Sequence, residues 1–241
     1  KQKTAYEIGV RLVGSEMCIR DSVLTDATAE IAMLILLGAA RRAKEGFEWA
    51  SKKNWKWSAD FLMGKQLSGG RLGILGMGRI GRAVAKRAKA FGMEIHYHNR
   101  SKLESSLEEG AIYHDNIKSL FSVSDILSIN CPATKETKNI INKETLEFFP
   151  AGAIITNSAR GDMIDDDAMV EALKRKKIFA LGLDVYKGEP DIHSGYLDKL
   201  NVFVLPHLGS STKKTRTDMA DLAISNIEEF FKTGKCKNKV N

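Results

Sequence analysis

Short apolar runs alternate with amphipathic segments over most of this chain, and that alternation leaves few folds open. The spacing predicts strands at Leu72–Leu75, Glu94–His98, Ile126–Asn130, Ala153–Asn157, Ala180–Asp184 and Val202–Leu205. It predicts helices over Arg79–Phe91, Lys143–Phe149, Asp165–Lys176 and Thr212–Phe231. Strands that alternate with helices build βαβ units and a parallel sheet. The expected class is α/β, with the sheet doubly wound. Earlier in the chain Ile31, Leu34, Ile35 and Gly38 recur at helical spacing, which predicts one helix over Thr25–Arg42. Trp49 to Leu67 is aromatic and irregular.

Composition narrows the partners. A formal charge of +7 favours anionic ligands, but the Lys and Arg residues are spread along the chain and leave no nucleic-acid footprint. Cys18, Cys131 and Cys236 form no CxxC pair, so the expectation is a reduced, cytoplasmic protein without a metal site. The most apolar run, Ala29 to Ala40, contains Glu30 and falls short of the ~20 residues a membrane span needs. Acids and arginines interrupt the first twenty residues, so no signal peptide is expected.

Gly76-Met77-Gly78-Arg79-Ile80-Gly81 lies between a predicted strand and a predicted helix. In that setting the first glycine permits a tight turn and the second lets the backbone approach a pyrophosphate. The third brings helix close to strand, while the helix N-terminus faces the phosphate charge. This points to a dinucleotide-binding Rossmann domain, the alternative being a structural turn with no ligand. NAD-binding domains usually end the second strand in an acid that bonds the ribose hydroxyls. Here the strand runs into Asn99, Arg100 and Ser101, with no carboxylate to repel a 2′-phosphate. Arg100 can pair with that phosphate, unless it is only a solvated loop residue. NADP(H) is the expected cofactor, with NAD(H) the second candidate.

Three residues in the second half can act on a 2-oxo acid. Arg160 follows a strand directly, where ligands of such sheets bind, and its planar fork suits a carboxylate. His207 also follows a strand and can serve as a general acid near neutral pH. Glu189 can hydrogen-bond its ring and stabilise the imidazolium. Each has a plainer reading: Arg160 a surface ion pair, His207 a satisfied loop histidine, Glu189 a turn acid before Pro190. Periodicity does not decide whether the three converge.

Gly73 to Gly81 resembles the nucleotide loop of the D-isomer-specific 2-hydroxyacid dehydrogenases. Asn157 to Gly161, Leu183 to Pro190 and Pro206 to Gly209 resemble that family's remaining signatures, in order and at compatible spacings, within Val23–Asn241. The resemblance implies that Arg160 orients the substrate and that Glu189 and His207 form the acid/base pair. It implies that Asp184 and the backbone at Cys131 and Pro132 hold the nicotinamide. Thr137, Ser158, Ala159 and Gly209 fall at its other cofactor-contacting positions, beside Arg160 and His207. Tyr97 to Ser101 and Lys187 to Pro190 look most like glyoxylate/hydroxypyruvate reductases. The implied activity is NADPH-dependent reduction of such a 2-oxo acid to the D-2-hydroxy acid.

The likeness starts abruptly near Val23. Residues 1–22 resemble translated adapter sequence rather than any part of the family. The implied organisation is a nucleotide domain over 23–208, with a dimerisation arm at about 25–62, then a helix over 209–241 that completes a substrate domain otherwise missing. A homodimer is expected, because an apolar arm is poorly suited to remain exposed. Such a chain is expected to bind NADPH but to reduce glyoxylate poorly or not at all. The competing readings are a corepressor-like NAD(P)-binding interaction module, and a dehydrogenase of another substrate such as phosphoglycerate or formate. Asn99-Arg100-Ser101 argues against the first, and pairing of His207 with a Glu rather than a Gln weakens the second.

Overall fold

The computed structural model describes residues 23–53, 55, 57–197 and 201–233. The expectation for residues 1–22 lies outside them, as do Cys18 and Cys236. The chain divides into two compact units: one is Thr28–Gly209, and residues 23–27 and 210–233 belong to the other. In the second unit a long helix is started by Thr212, whose Oγ1 accepts the Thr215 N–H at 3.0 Å.

In chain order the elements are α1 (Thr25–Ala40), α2 (Ala43–Lys52), β1 (Arg71–Leu75), α3 (Arg79–Ala90), β2 (Glu94–His98), α4 (Ser105–Glu108) and β3 (Ile112–Tyr113). There follow α5 (Ile117–Val123), β4 (Ile126–Ile129), α6 (Lys143–Leu146), β5 (Ala153–Asn157), α7 (Asp166–Lys174), β6 (Ile178–Leu183), α8 (Ser194–Leu197), β7 (Val202–Val204) and α9 (Lys213–Thr233). The strands form one seven-stranded sheet in the order β3-β2-β1-β4-β5-β6-β7, every pairing parallel. The α/β reading of the sequence is therefore correct.

A parallel sheet is covered on both faces, so its central strands β4 (Ile-Leu-Ser-Ile) and β6 (Ile-Phe-Ala-Leu-Gly-Leu) are largely apolar. Leu72 and Ile74 of β1 and Ile154 of β5 pack with Ala29 and Leu36 of α1 and Val84 and Ala88 of α3. The alternate residues, Leu75, Leu127, Ile129 and Ile155, face the opposite core with Leu120 of α5 and Met169 and Leu173 of α7. Burying each of these Leu, Ile, Val and Met side chains stabilises the fold by about 1.5–3 kcal/mol before entropy is counted.

Two elements differ from the sequence expectation. The helix predicted to reach Arg42 stops at Ala40, because the Ala40 carbonyl accepts the Lys65 N–H at 2.7 Å instead of continuing the helix. Arg42 then turns left-handed at φ 55, its guanidinium bonded to Glu45, and α2 begins. The start of the irregular aromatic stretch is accordingly helical as far as Lys52. The sequence also gave no sign of β3, whose two residues pair at the sheet edge with His96 and Tyr97.

Candidate active site

Register places the ends of six strands in one row. His98, Leu75, Ile129, Asn157, Leu183 and Val204 are successive cross-strand partners, so the loops that follow them leave the same edge. The strand order reverses direction between β1 and β4, which opens a crevice above their carboxyl ends.

The phosphate loop occupies that crevice. Gly76 takes φ 97, and its N–H donates to the His98 carbonyl at 3.0 Å. That conformation disfavours side chains, and a Cβ here would sit 2.5 Å from the Cys131 nitrogen. A Cβ on Gly81 would sit 2.2 Å from the Gly76 oxygen, which is the close helix-to-loop approach. Around Gly78 a Cβ would meet nothing within 4 Å. Gly78 also caps α3 without a side-chain hydrogen bond, leaving the N–H groups of Arg79, Ile80 and Gly81 at an open helix N-terminus. The loop therefore suits a phosphate on its Gly78 side.

These three glycines predict different failures. Gly81→Ala should lower stability by about 1–3 kcal/mol through overpacking, visible in thermal melting. Gly78→Ala should melt like the parent yet lose dinucleotide affinity, because only an incoming ligand would meet the new methyl. Unchanged NADPH binding by Gly78→Ala would dismiss the loop as a cofactor cradle.

At the end of β2 the Asn99 side chain turns back to this loop, and its Oδ1 accepts the Met77 N–H at 2.7 Å. A backbone donor requires the amide oxygen, so the Asn99 NH₂ group is the end left to face outward. Arg100 and Ser101 are exposed and make no hydrogen bond among the described residues. The Glu136 carboxyl lies below the usual range, first through the Thr134 hydroxyl and its own backbone N–H, and in smaller part through the Arg100 charge.

After β4, Thr137 closes a turn: its Oγ1 donates to the Pro132 carbonyl at 2.8 Å and accepts the Thr134 N–H at 2.7 Å. Cys131 lies against Gly76 and donates to the Met163 sulfur at 3.8 Å. Burial pushes its thiol up to about 11, which favours the neutral, packed form over a thiolate.

Three loops meet further along the edge. Asn157 is fully buried; its Oδ1 accepts the Ala159 N–H at 2.9 Å and its Nδ2 donates to the Arg160 carbonyl at 2.7 Å. This braces the turn that carries Ser158, Ala159 and Arg160. Next to it, a Cβ on Gly161 would fall 2.0 Å from the Tyr186 carbonyl carbon, so the two backbones touch. The Tyr186 N–H donates to Glu189 Oε1 at 2.9 Å, and Glu189 Oε2 lies 2.6 Å from His207 Nδ1. His207 is presented on a left-handed turn at φ 55. Beneath it Asp184 is fully buried and accepts the N–H groups of Leu208 and Gly209 at 2.7 and 2.8 Å. Burial raises the Asp184 carboxyl, against the opposing pull of those two N–H groups and of His207.

The arrangement joins Glu189 directly to His207 and brings the Arg160 turn against the Glu189 loop. The Arg160 side chain is exposed; its Nη1 donates to the Ala159 carbonyl at 2.6 Å, and it forms no ion pair with Glu189. Among the described residues no cluster of His, Cys, Asp and Glu could hold a metal, and no helix is long and apolar enough to cross a membrane.

Residues 33–209 match the D-isomer specific 2-hydroxyacid dehydrogenase, NAD binding domain family. The chain belongs to this family. Its relatives in this 2-hydroxyacid dehydrogenase family include the glycerate dehydrogenase of Hyphomicrobium methylovorum, 45% identical over 95% of this chain and 74% of the relative. The glyoxylate reductase of Thermococcus litoralis is 40% identical over 91% of this chain and 68% of the relative. Among solved structures, the NADPH-dependent glyoxylate/hydroxypyruvate reductase of Sinorhizobium meliloti, in complex with NADP and malonate, superposes with a TM-score of 0.84. It is 33% identical and covers 90% of this chain and 68% of its own.

Sequence reading gave this dehydrogenase its charged groups but no roles for Asn157, Gly161 and Tyr186 as supports. The Asn157 amide bonds only to backbone groups of its own turn and Tyr186 acts through its backbone N–H, so neither contact shows in the pattern of charged side chains. The usable signals were position, since each lies near a strand end, and membership of the segments Asn157–Gly161 and Leu183–Pro190 that resemble the family's signatures.

Proposed function

We propose that this chain binds NADP(H) and serves the reduction of a small 2-oxo acid, such as glyoxylate or hydroxypyruvate, to the D-2-hydroxy acid in the cytosol. The observation that carries the reading is the 2.6 Å contact of Glu189 with His207 Nδ1, at the sheet edge that also bears the Arg160 turn. A carboxylate accepts only, so Nδ1 carries the hydrogen of that bond and Nε2 is left to hold the transferable proton. Glu189 is itself fixed by the Tyr186 N–H, which keeps the ring in one orientation. Arg160 binds the substrate carboxylate bidentately, aligning the carbonyl for the proton from His207. The nicotinamide supplies the hydride when bound, with Thr137, Ser158, Ala159, Asp184, Gly209 and the Cys131–Pro132 backbone as its proposed neighbours. Oxidation of NADPH on adding glyoxylate tests the reaction. It is best run in a chimaera carrying the part of the Hyphomicrobium methylovorum relative that lies outside the match.

The cofactor preference is supported by Asn99, whose outward amide group donates where an acid would accept, and by the exposed guanidinium of Arg100, which makes no hydrogen bond to the described residues. Both favour a 2′-phosphate over a bare ribose hydroxyl pair.

We further propose a nucleotide domain ending near residue 208, with α9 belonging to a substrate domain, and a homodimer through the arm at about 25–62. Exposed Phe47, Trp55, Trp57 and Met63 support the dimer. Light scattering should give twice the chain mass, and a stable monomer would refute the dimer.

A further inference from the structure

The segment from Asn99 to Leu103, which carries Arg100 and Ser101, is tied down at both ends. At its start Asn99 is held by the Met77 N–H, and its carbonyl oxygen is reached by the Tyr113 hydroxyl at 3.5 Å. At its end the Leu103 N–H donates to the Tyr97 hydroxyl at 3.0 Å. Tyr97 belongs to β2 and is fully buried, its ring packed on Tyr113 with centroids 5.3 Å apart. The same hydroxyl donates to Glu108 Oε1, at the end of α4, at 2.5 Å. The other Glu108 oxygen lies 3.8 Å from Lys102 Nζ, so this loop cation has a partner of its own. Burial, and then the bond to Glu108, push the Tyr97 phenol up to about 12, so it keeps the proton that this relay needs.

We propose that Tyr97 and Glu108 are positioning residues for cofactor selectivity, holding the Asn99–Leu103 loop so that Arg100 and Ser101 are ready for a 2′-phosphate. This rests on the reading of Arg100 given above. A loop without its far anchor must be ordered when the ligand binds, and that entropic cost lowers affinity. The cost falls on the ligand that engages the loop, which is NADPH. NADH lacks the phosphate and does not draw on it.

The test is nicotinamide-fluorescence titration of the chain with NADPH and with NADH. It compares the parent, Tyr97→Phe, Arg100→Ala and the double variant. Tyr97→Phe keeps the packed ring and removes only the hydroxyl. It should raise the NADPH Kd about 5- to 10-fold and the NADH Kd less than about 2-fold. In the Arg100→Ala background the same change should move the NADPH Kd by less than about 2-fold, because the loop has lost its cation and only the neutral Ser101 hydroxyl is left for it to present. Equal losses for both cofactors, or additive losses in the double variant, would overturn the proposal while the Arg100 reading stands. If Arg100→Ala weakens NADPH no more than NADH, that reading fails and the proposal fails with it. Glu108→Ala leaves the core ring untouched and should also cost NADPH selectively, which keeps the test decisive if Tyr97→Phe folds poorly.

Discussion

Arg100→Asp is expected to weaken NADPH binding by about 100-fold and NADH binding by less than about 3-fold. The asymmetry follows from where the side chain stands. Arg100 leaves the end of β2 with no hydrogen bond to other described residues, so its replacement costs the fold little. An aspartate there removes the charge-assisted contact to a 2′-phosphate and sets a like charge against it. The same carboxylate can accept from ribose hydroxyls, which protects NADH affinity. Asn99, whose oxygen is committed to Met77, leaves an amide donor that should retain a part of the NADPH affinity in this variant. Titration by nicotinamide fluorescence reads both constants, and equal losses would remove the argument for NADP(H).

His207→Ala is expected to lower turnover by about 10²–10⁴-fold with little change in NADPH affinity. The residue's nearest partner is Glu189, and its backbone turn is held separately by Asp184 through Leu208 and Gly209. Removing the imidazole therefore deletes the proton donor and leaves the loop in place. Its exposure is consistent with this, because the ring is not a core element: 45% of the His207 side chain is accessible. The comparison is made in the chimaera described above, by NADPH oxidation with glyoxylate. A variant with the parent rate would show that the proton comes from another group.

Local pattern carried much of the fold. Glu94–His98 and Ala153–Asn157 coincide with β2 and β5 end for end: β5 is a buried run bounded by turn residues, and β2 alternates polar Glu94, His96 and His98 with Ile95 and Tyr97. β3 escaped because two residues have no period, and its pairing to His96 and Tyr97 is set by the sheet edge. The break at Ala40 escaped for a related reason: the Lys65 N–H that ends α1 comes from a distant part of the sequence. At the site, Arg160, Glu189 and His207 were visible as chemistry after strand ends. The supports were not, since Gly161 works by letting backbones touch and Tyr97 by a buried hydroxyl aimed at a loop N–H. Contacts of that kind belong to the fold and not to residue spacing.

We propose that this sheet edge is built for a 2′-phosphorylated nicotinamide dinucleotide, with the phosphate loop at Gly76–Gly81 and the Asn99–Ser101 segment as its two anchors. Parallel titrations of the parent chain with NADPH and NADH test it most directly. NADPH is expected to bind at least about 10-fold tighter than NADH, as one charge-assisted phosphate contact would give. Equal affinities, or tighter NADH binding, would contradict it.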